Sequence, residues 1–248
     1  MSEDITGMLN NWPYDDDDNM RIVECEDGRR VLQVRQPLGI EQYELDGRPD
    51  GARPFSRESV LEEINLRLER HREHLGDDEG FALSHEDCVL MQNEGILYYY
   101  RYLLLFQLND FDRVERDSSH NLRICELLEN YCDDEEDRNA VLQFKPYIVR
   151  INAMARAMRC VRDEEPDAAR SIIDQAITEI QSLPAIESPA FQFERVRSVN
   201  FLRSAREQIS DQPGNPRKKL EEELQKALEN EDYERAAELR DRIRDLSY

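Results

Sequence analysis

SHEDCVLMQNEGILYYYRYLLLFQLNDFDRV, residues 84–114, contains the most apolar run of the chain between two sharp boundary signals. Ser84 and Asp87 have the spacing of a capping box, which opens a helix. The apolar run, ILYYYRYLLLF, is 11 residues long, against the roughly 20 that a membrane-spanning helix needs. Arg101 interrupts it. The stretch therefore predicts a buried helix, the central and most buried one of the fold. Asn109-Asp110 then turns the chain into a further helix carrying Phe111, Val114, Leu122, Cys125 and Leu128. Two long helices joined by a short acidic elbow set the fold class as mainly α, a body of stacked antiparallel helix hairpins.

Upstream the regime differs. Gly28, Gly39, Gly47 and Gly51 crowd the N-terminal part, whereas only Gly95 occurs between residues 81 and 213. MRIVECEDGRRVLQVRQ (20–36) has apolar clusters on both sides of Asp27-Gly28, a short-range hairpin signal. IEQYEL (40–45) predicts a third strand, and LDGRPDGARP (45–54) is dense in turn formers. Three short strands do not stand alone, so they are expected to pack on the helices. The first helix of the body is expected to begin at Ser56, with Phe55 and Val60 as a hydrophobic staple. Its stripe is Leu61, Ile64, Leu68 and Leu75, and Gly76 stops it.

Downstream, DDEED (133–137) precedes a helix that Pro146 should kink or split. Another opens at Pro166 and carries Ala169, Ile172, Ile173, Ala176, Ile180 and Leu183. A last body helix follows Ser188-Pro189, with Phe191, Val196, Val199, Leu202 and Ile209 on its apolar side. SDQPGNPR (210–217) is a linker by composition. The domain reading is thus a strand-rich segment, 1–55, packed on a helical body, 56–209, then the linker and a two-helix tail, 218–248. QLNDFDRV, CVRDEEPDAA and LENEDYERAA each place an acidic elbow between apolar helices. They read as stacked αα-hairpins, because the spacing is too irregular for a repeat array.

The formal net charge is −22. A surface this acidic repels phosphate backbones and anionic membranes, so neither direct nucleic-acid binding nor membrane binding is expected. The first residues hold no basic patch and no apolar run, which argues against a secretory signal. The five cysteines are odd in number and form no Cys-x-x-Cys pair. That fits reduced thiols and a cytoplasmic location.

Residues 217–248 differ from the body. They hold Lys218, Lys219 and Lys226, three of the four lysines, and a net charge of −2, leaving about −20 on the remainder. Leu220, Leu224, Ala227 and Leu228 form one stripe; Ala236, Leu239, Ile243 and Leu246 form another. Asp232 suits the N-cap of the second helix, and Glu234 falls in its first turn. The small Ala236 and Ala237 let two helices approach closely, and Tyr233 can fold over the seam. Arg240 and Asp241 flank the stripe, placed for ion pairs with a partner helix. So short a hairpin has little core of its own and is completed by burying its other face on another protein.

The tail resembles the UVR (UvrB/UvrC) motif, the helical hairpin shared by two nucleotide-excision-repair subunits and several protease-adaptor proteins. Leu224, Ala227, Asp232, Tyr233, Glu234, Ala236, Ala237, Leu239, Arg240, Asp241, Ile243 and Leu246 carry the resemblance. It implies contact with another protein through Leu224, Ala227, Tyr233, Ala236, Ala237, Leu239, Arg240, Asp241, Ile243 and Leu246. The implied partner is a UVR-bearing or helical protein, or a second copy. The N-terminal LGIEQYELDGRPDGARP (38–54) resembles a segment of uncharacterised bacterial proteins that also end in a UVR motif, a likeness that implies no activity. No Gly-x-x-x-x-Gly-Lys-[Ser/Thr] loop is present, so the chain does not resemble the repair helicase.

Other chemistry-bearing residues have plainer readings. His71 and His74, with His85 and Cys88, have a spacing that a metal site could use. His71 also falls on the Leu68–Leu75 stripe, as a half-buried, hydrogen-bonded histidine would. Asp15 to Asp18 read as solvated charge. The pairs Asp133-Asp134 and Glu164-Glu165 lie in elbows, too exposed for general acid–base work. His120 follows Ser118 and Ser119 too closely to face them as base and nucleophile. Tyr98, Tyr99, Tyr100 and Tyr102 read as core whose buried hydroxyls need partners. No catalytic, cofactor or metal site is expected. The reading that results is a non-enzymatic, cytoplasmic bacterial adaptor or scaffold. The alternatives are an accessory factor of nucleotide-excision repair acting through a repair subunit, and an enzyme with a site between the N-terminal strands and the buried helix.

Overall fold

The computed structural model describes residues 4–211 and, in the C-terminal segment, Leu224, Arg235, Leu239 and Arg240. The described chain is mainly helical, with one three-stranded sheet. The elements are α1 (Thr6–Asn11), β1 (Met20–Glu24), β2 (Arg30–Gln36), β3 (Gly39–Glu44), α2 (Val60–Leu75) and α3 (His85–Gln107). They continue with α4 (Phe111–Tyr131), α5 (Glu135–Leu142), α6 (Lys145–Arg162), α7 (Pro166–Ser182) and α8 (Pro189–Asp211).

The strands form an antiparallel meander with β2 central; Ile22 pairs with Leu32, and Leu32 with Tyr43. Gly28 closes the hairpin at φ 81°, a conformation that a glycine adopts without strain. Both faces of β2 are covered, so Val31, Leu32, Gln33, Val34 and Arg35 are all buried rather than alternating. On one face Leu32 joins Leu45, Tyr102, Leu105, Phe111 and Val114 in a shared core, which packs the sheet on α3 and α4. Elsewhere Arg35 Nε donates to the Trp12 carbonyl at 2.7 Å, and Arg21 stacks over the Trp12 ring at 3.9 Å. The short α1 and its Trp12 were not expected from the sequence, because one turn and a half of helix carries too little periodicity to detect.

Helix α2 starts three residues later than Ser56 suggests. Ser59 is its N-cap, accepting from the Glu62 N–H at 3.0 Å. Phe55 lies at positive φ and is exposed, so it staples nothing. Ser59-x-x-Glu62 was the better start signal in the sequence. Gly76 ends α2 at φ 92°, but Leu75 is 64% exposed and leaves the expected stripe after Leu68. The capping box at Ser84 and Asp87 is formed, and Asp110 caps α4. The chain splits before Pro146, with α5 ending at Leu142 and α6 restarting at Lys145.

α6, not α3, is the most enclosed helix. Ten of its 18 residues are buried, against seven of 23 in α3. Ala153, Ala155 and Ala157 give α6 a thin profile, so α4, α7 and α8 pack around it. α3 instead exposes Ile96 and Tyr100. In α8, Phe191, Val199, Leu202 and Ile209 are buried as expected, whereas Val196 is 62% exposed. No helix among the described residues is long and apolar enough to cross a membrane.

Two of the three acidic elbows are described, and they share one geometry. Asn109 and Glu164 both take positive φ, 57° and 62°. The N–H of Asn109 reaches the Phe106 carbonyl (3.1 Å), and that of Asp110 reaches Leu105 (2.9 Å). The N–H of Glu164 reaches Val161 (3.1 Å), and that of Glu165 reaches Cys160 (2.7 Å). Both sets are the paired bonds of a Schellman motif, which satisfies the last carbonyls of one helix while the next begins. The third elbow, at LENEDYERAA, lies outside the described residues apart from Arg235.

Candidate functional site

In the tail, Leu239 is buried, Leu224 half-buried, and Arg235 and Arg240 exposed. Leucine inward with arginine outward is the arrangement that an apolar stripe flanked by charge produces. Ala227, Tyr233, Ala236, Ala237, Asp241, Ile243 and Leu246 lie outside the described residues.

The body contains a polar assembly at the junction of α3, α4 and the N-terminal segment. Glu94, Tyr98 and Arg101 follow one another at i, i+4 and i+7 on α3, and Asp117, His120 and Asn121 share a face of α4. Glu94 is fully buried and its carboxylate accepts four hydrogen bonds. They come from Val60 N–H (2.7 Å), Leu61 N–H (3.0 Å), Arg48 Nη1 (2.9 Å) and His120 Nε2 (3.0 Å). The first two are free amides at the start of α2, where the helix dipole also favours an anion. Burial pushes the Glu94 carboxyl up, but the bonds from His120, Val60 and Leu61 outweigh it, and it ionises below its ordinary range. Arg101 is also fully buried. It grips Asp117 through Nε (2.7 Å) and Nη2 (2.8 Å), and the Glu44 and Gly47 carbonyls through Nη1 (2.7 and 2.8 Å). Tyr98 lies between the two nodes, with the His120 ring stacked at 3.7 Å and the Arg101 guanidinium 5.0 Å from its centroid. Each Glu94 oxygen is engaged twice, so the assembly clamps the β3–α2 segment to the helices rather than offering a free base. Sequence reasoning saw Arg101 only as an interruption and did not single out Glu94 or Asp117. The signal was their polar spacing within apolar helices.

A cavity of about 450 Å³ opens on a different side of α3, walled by α3, α4, α5, α6 and α8. Tyr99, Tyr100, Phe144 and Tyr147 supply aromatic surface, and Gly95, Asn121, Glu194 and Arg197 also line it. The cavity is distinct from the junction of the strands with α3, where Leu32, Leu45 and the Arg101 bonds occupy the contact. The four tyrosines divide accordingly. Tyr98 and Tyr102 are buried, Tyr99 is half-buried, and Tyr100 is 51% exposed.

The remaining candidates are dispersed. His71 is half-buried, bonded to the Glu79 carbonyl at 2.8 Å and edge-on to Phe81. His74 bonds the Arg70 carbonyl, and His85 bonds Asp137 at 2.8 Å, which raises the His85 pKa. Cys88 contacts Cys132, Sγ to Sγ 3.4 Å. Ser118 and Ser119 accept from Asn152, not from His120. Asp15 to Asp18, Asp133-Asp134 and Glu164-Glu165 are exposed. No group of metal-binding side chains comes together among the described residues.

No curated protein and no solved structure matches the chain. A family model, the UvrB/uvrC motif, matches residues 215–248, beginning within the stretch read as a linker. The chain therefore carries at its C-terminus a UVR motif, a helical hairpin of protein–protein interaction.

Proposed function

We propose that this protein is a non-enzymatic adaptor of the cytoplasm that holds another protein through its C-terminal hairpin. The observation that carries the reading is the match of residues 215–248 to the UvrB/uvrC motif. The partner is a helix, set against the seam formed by Leu224, Ala227, Ala236, Leu239, Ile243 and Leu246. On this reading Ala236 and Ala237 are the small residues that let the helices approach, Tyr233 covers the seam, and Arg240 and Asp241 flank it. The buried charges of Glu94, Arg101 and Asp117 are bonded to internal partners, and a net charge of about −20 on residues 1–216 keeps the body off nucleic acids.

The test is affinity capture with the full chain and with a chain ending at Asp211, each purified and checked by melting. The expected result is a partner retained by the full chain and lost from the shortened one, with both melting cooperatively. Retention by the shortened chain would move the binding surface to the body and end this reading. A repair subunit as the partner would place the adaptor in excision repair; a protease component would place it in proteolysis.

A further inference from the structure

We propose that the exposed aromatic face shared by α3, α6 and α8 docks the chain's own C-terminal segment, through the stripe Leu220, Leu224, Ala227 and Leu228. The docking itself is independent of what else the hairpin binds.

Ile96 and Tyr100 of α3 and Phe144, just before α6, are exposed where they line the cavity, and Phe193 and Phe201 of α8 are exposed beside it. Two arginines join them into one surface. Arg197, a wall of the cavity, lies 5.8 Å from the centre of the Phe193 ring. Arg150 lies 4.7 Å from the Tyr147 ring and 5.1 Å from that of Phe201. Glu194 meets Arg197 at 3.5 Å and its charge also acts on Arg150, so the face offers apolar area rather than an unanswered charge. Single exposed apolar side chains are ordinary, whereas a connected group of large ones marks an interaction surface.

Tether, burial and charge name the occupant. α8 carries part of the face and leads directly into the C-terminal segment. Arg197 to Asp211 is about 21 Å of helix. The chain from Asp211 to Leu220 spans up to roughly 30 Å and contains Pro213, Gly214 and Pro216, residue types that turn a chain. The stripe therefore reaches back to the face, and a short tether gives it an effective concentration of millimolar order. The stripe also has a surface to give: Leu224 is half-buried, whereas Leu239 of the other stripe is buried. Charge points the same way. From Pro189 to Arg206, α8 holds four arginines and one carboxylate, on a body that is strongly acidic elsewhere. LEEELQKALENE (220–231) is the reverse, with five glutamates and one lysine. Opposite signs thus meet across this contact, while the body of a second copy, at about −20, is repelled.

Hydrogen–deuterium exchange of the full chain, read by mass spectrometry, tests the contact without any partner. The variant is Tyr100→Glu with Phe193→Glu, two positions exposed enough for the body to tolerate a charge. A cooperative melt and an unchanged circular dichroism spectrum check that the body is intact. The expected result is that amides of residues 220–231 are protected in the parent and exchange at least about tenfold faster in the variant, while those of α4 and α6 do not change. Should the glutamates unfold the body, Tyr100→Ser with Phe193→Ser is read in the same way. Three results overturn the proposal: no protection of 220–231 in the parent, protection that the variant leaves intact, or protection that rises with protein concentration, which would make the occupant a second copy. Leu224 and Ala227 also belong to the seam of the proposed adaptor contact, so docking holds the hairpin back from its partner; this consequence alone rests on the adaptor reading. The captured partner should then bind the variant at least about threefold more tightly, as the undocked fraction rises. Equal affinity would refute the holding back, and the exchange result would still decide the docking.

Discussion

Arg101 of α3 and Asp117 of α4 face each other through two parallel hydrogen bonds, 2.7 and 2.8 Å, with both side chains wholly screened from solvent. The remaining guanidinium nitrogen holds the Glu44 and Gly47 carbonyls. One ion pair thereby fastens two helices and the end of the sheet. Its energetic consequence lies in what remains when one partner is taken away, because an unpaired buried charge is far costlier than the pair is stabilising.

Asp117→Ala leaves the Arg101 charge buried opposite nothing and also removes a bond from Arg116 Nε. The expected loss is about 3–5 kcal/mol. It is measured as the shift of the urea unfolding midpoint at unchanged slope. An apolar double replacement, Arg101→Met with Asp117→Leu, should recover much of that loss. If the double variant is no better than Asp117→Ala, the carbonyl bonds of Arg101 are the larger contribution.

Glu94 gives the fold an acid-sensitive joint. Its carboxyl ionises below the unfolded value, ordinarily about 4.3. The unfolded chain therefore binds the proton more readily, and the ionised form contributes stability above that value. This contribution is lost as pH falls through the depressed folded pKa. Glu94→Gln should cost stability at pH 7, by about 1–3 kcal/mol for poorly satisfied buried donors. The difference between Glu94→Gln and the parent chain should shrink on acidification below about pH 4. Denaturant melts at pH 7, 5 and 3 supply the comparison, and a difference constant with pH would refute the joint.

All five cysteines are free. Burial and the contact with Cys132 push the Cys88 thiol up to about 12, and burial, aided by the Glu129 charge, pushes Cys125 up to about 12. Since the thiolate is the reactive form, both should be inert in the folded protein. A disulfide reagent at pH 8 should label Cys25 and Cys160, which are half-exposed, and leave Cys88, Cys125 and Cys132 until denaturant is added. Peptide mapping of the labelled sites checks this. Rapid native labelling of Cys125 would mean that the α4–α6 core opens readily.

The parts of this structure legible in the sequence are those with local causes. The Ser84–Asp87 box, the Asp110 cap, the Gly28 turn and the break at Pro146 each depend on residues within a few positions of the feature. The parts missed depend on distant partners. α2 begins at Ser59, where Glu94 of α3 also receives its first amides, and no local pattern announces that contact. β2 is buried on both faces because Trp12 and Gln42 meet Arg35 and Gln33 from other segments. α6 is enclosed through its small residues, which read as weakly apolar until three helices are seen around them. The UVR motif was legible because one short segment contains it whole. The cavity was not, because its walls come from five helices.

The central claim is that the hairpin seam beside Ala236 and Ala237 docks a partner helix. The most direct measurement is calorimetry of the captured partner against Ala237→Glu and, as control, Glu238→Lys. Glutamate preserves helix propensity, so the first change places a charge in a close contact without breaking the local helix. A buried unpaired charge costs a few kcal/mol, and each 1.4 kcal/mol or so is about tenfold in affinity. The account predicts a loss of about a hundredfold or more for Ala237→Glu and little change for Glu238→Lys. Equal effects from the two substitutions would contradict it, because the tail would then act only as a charged surface.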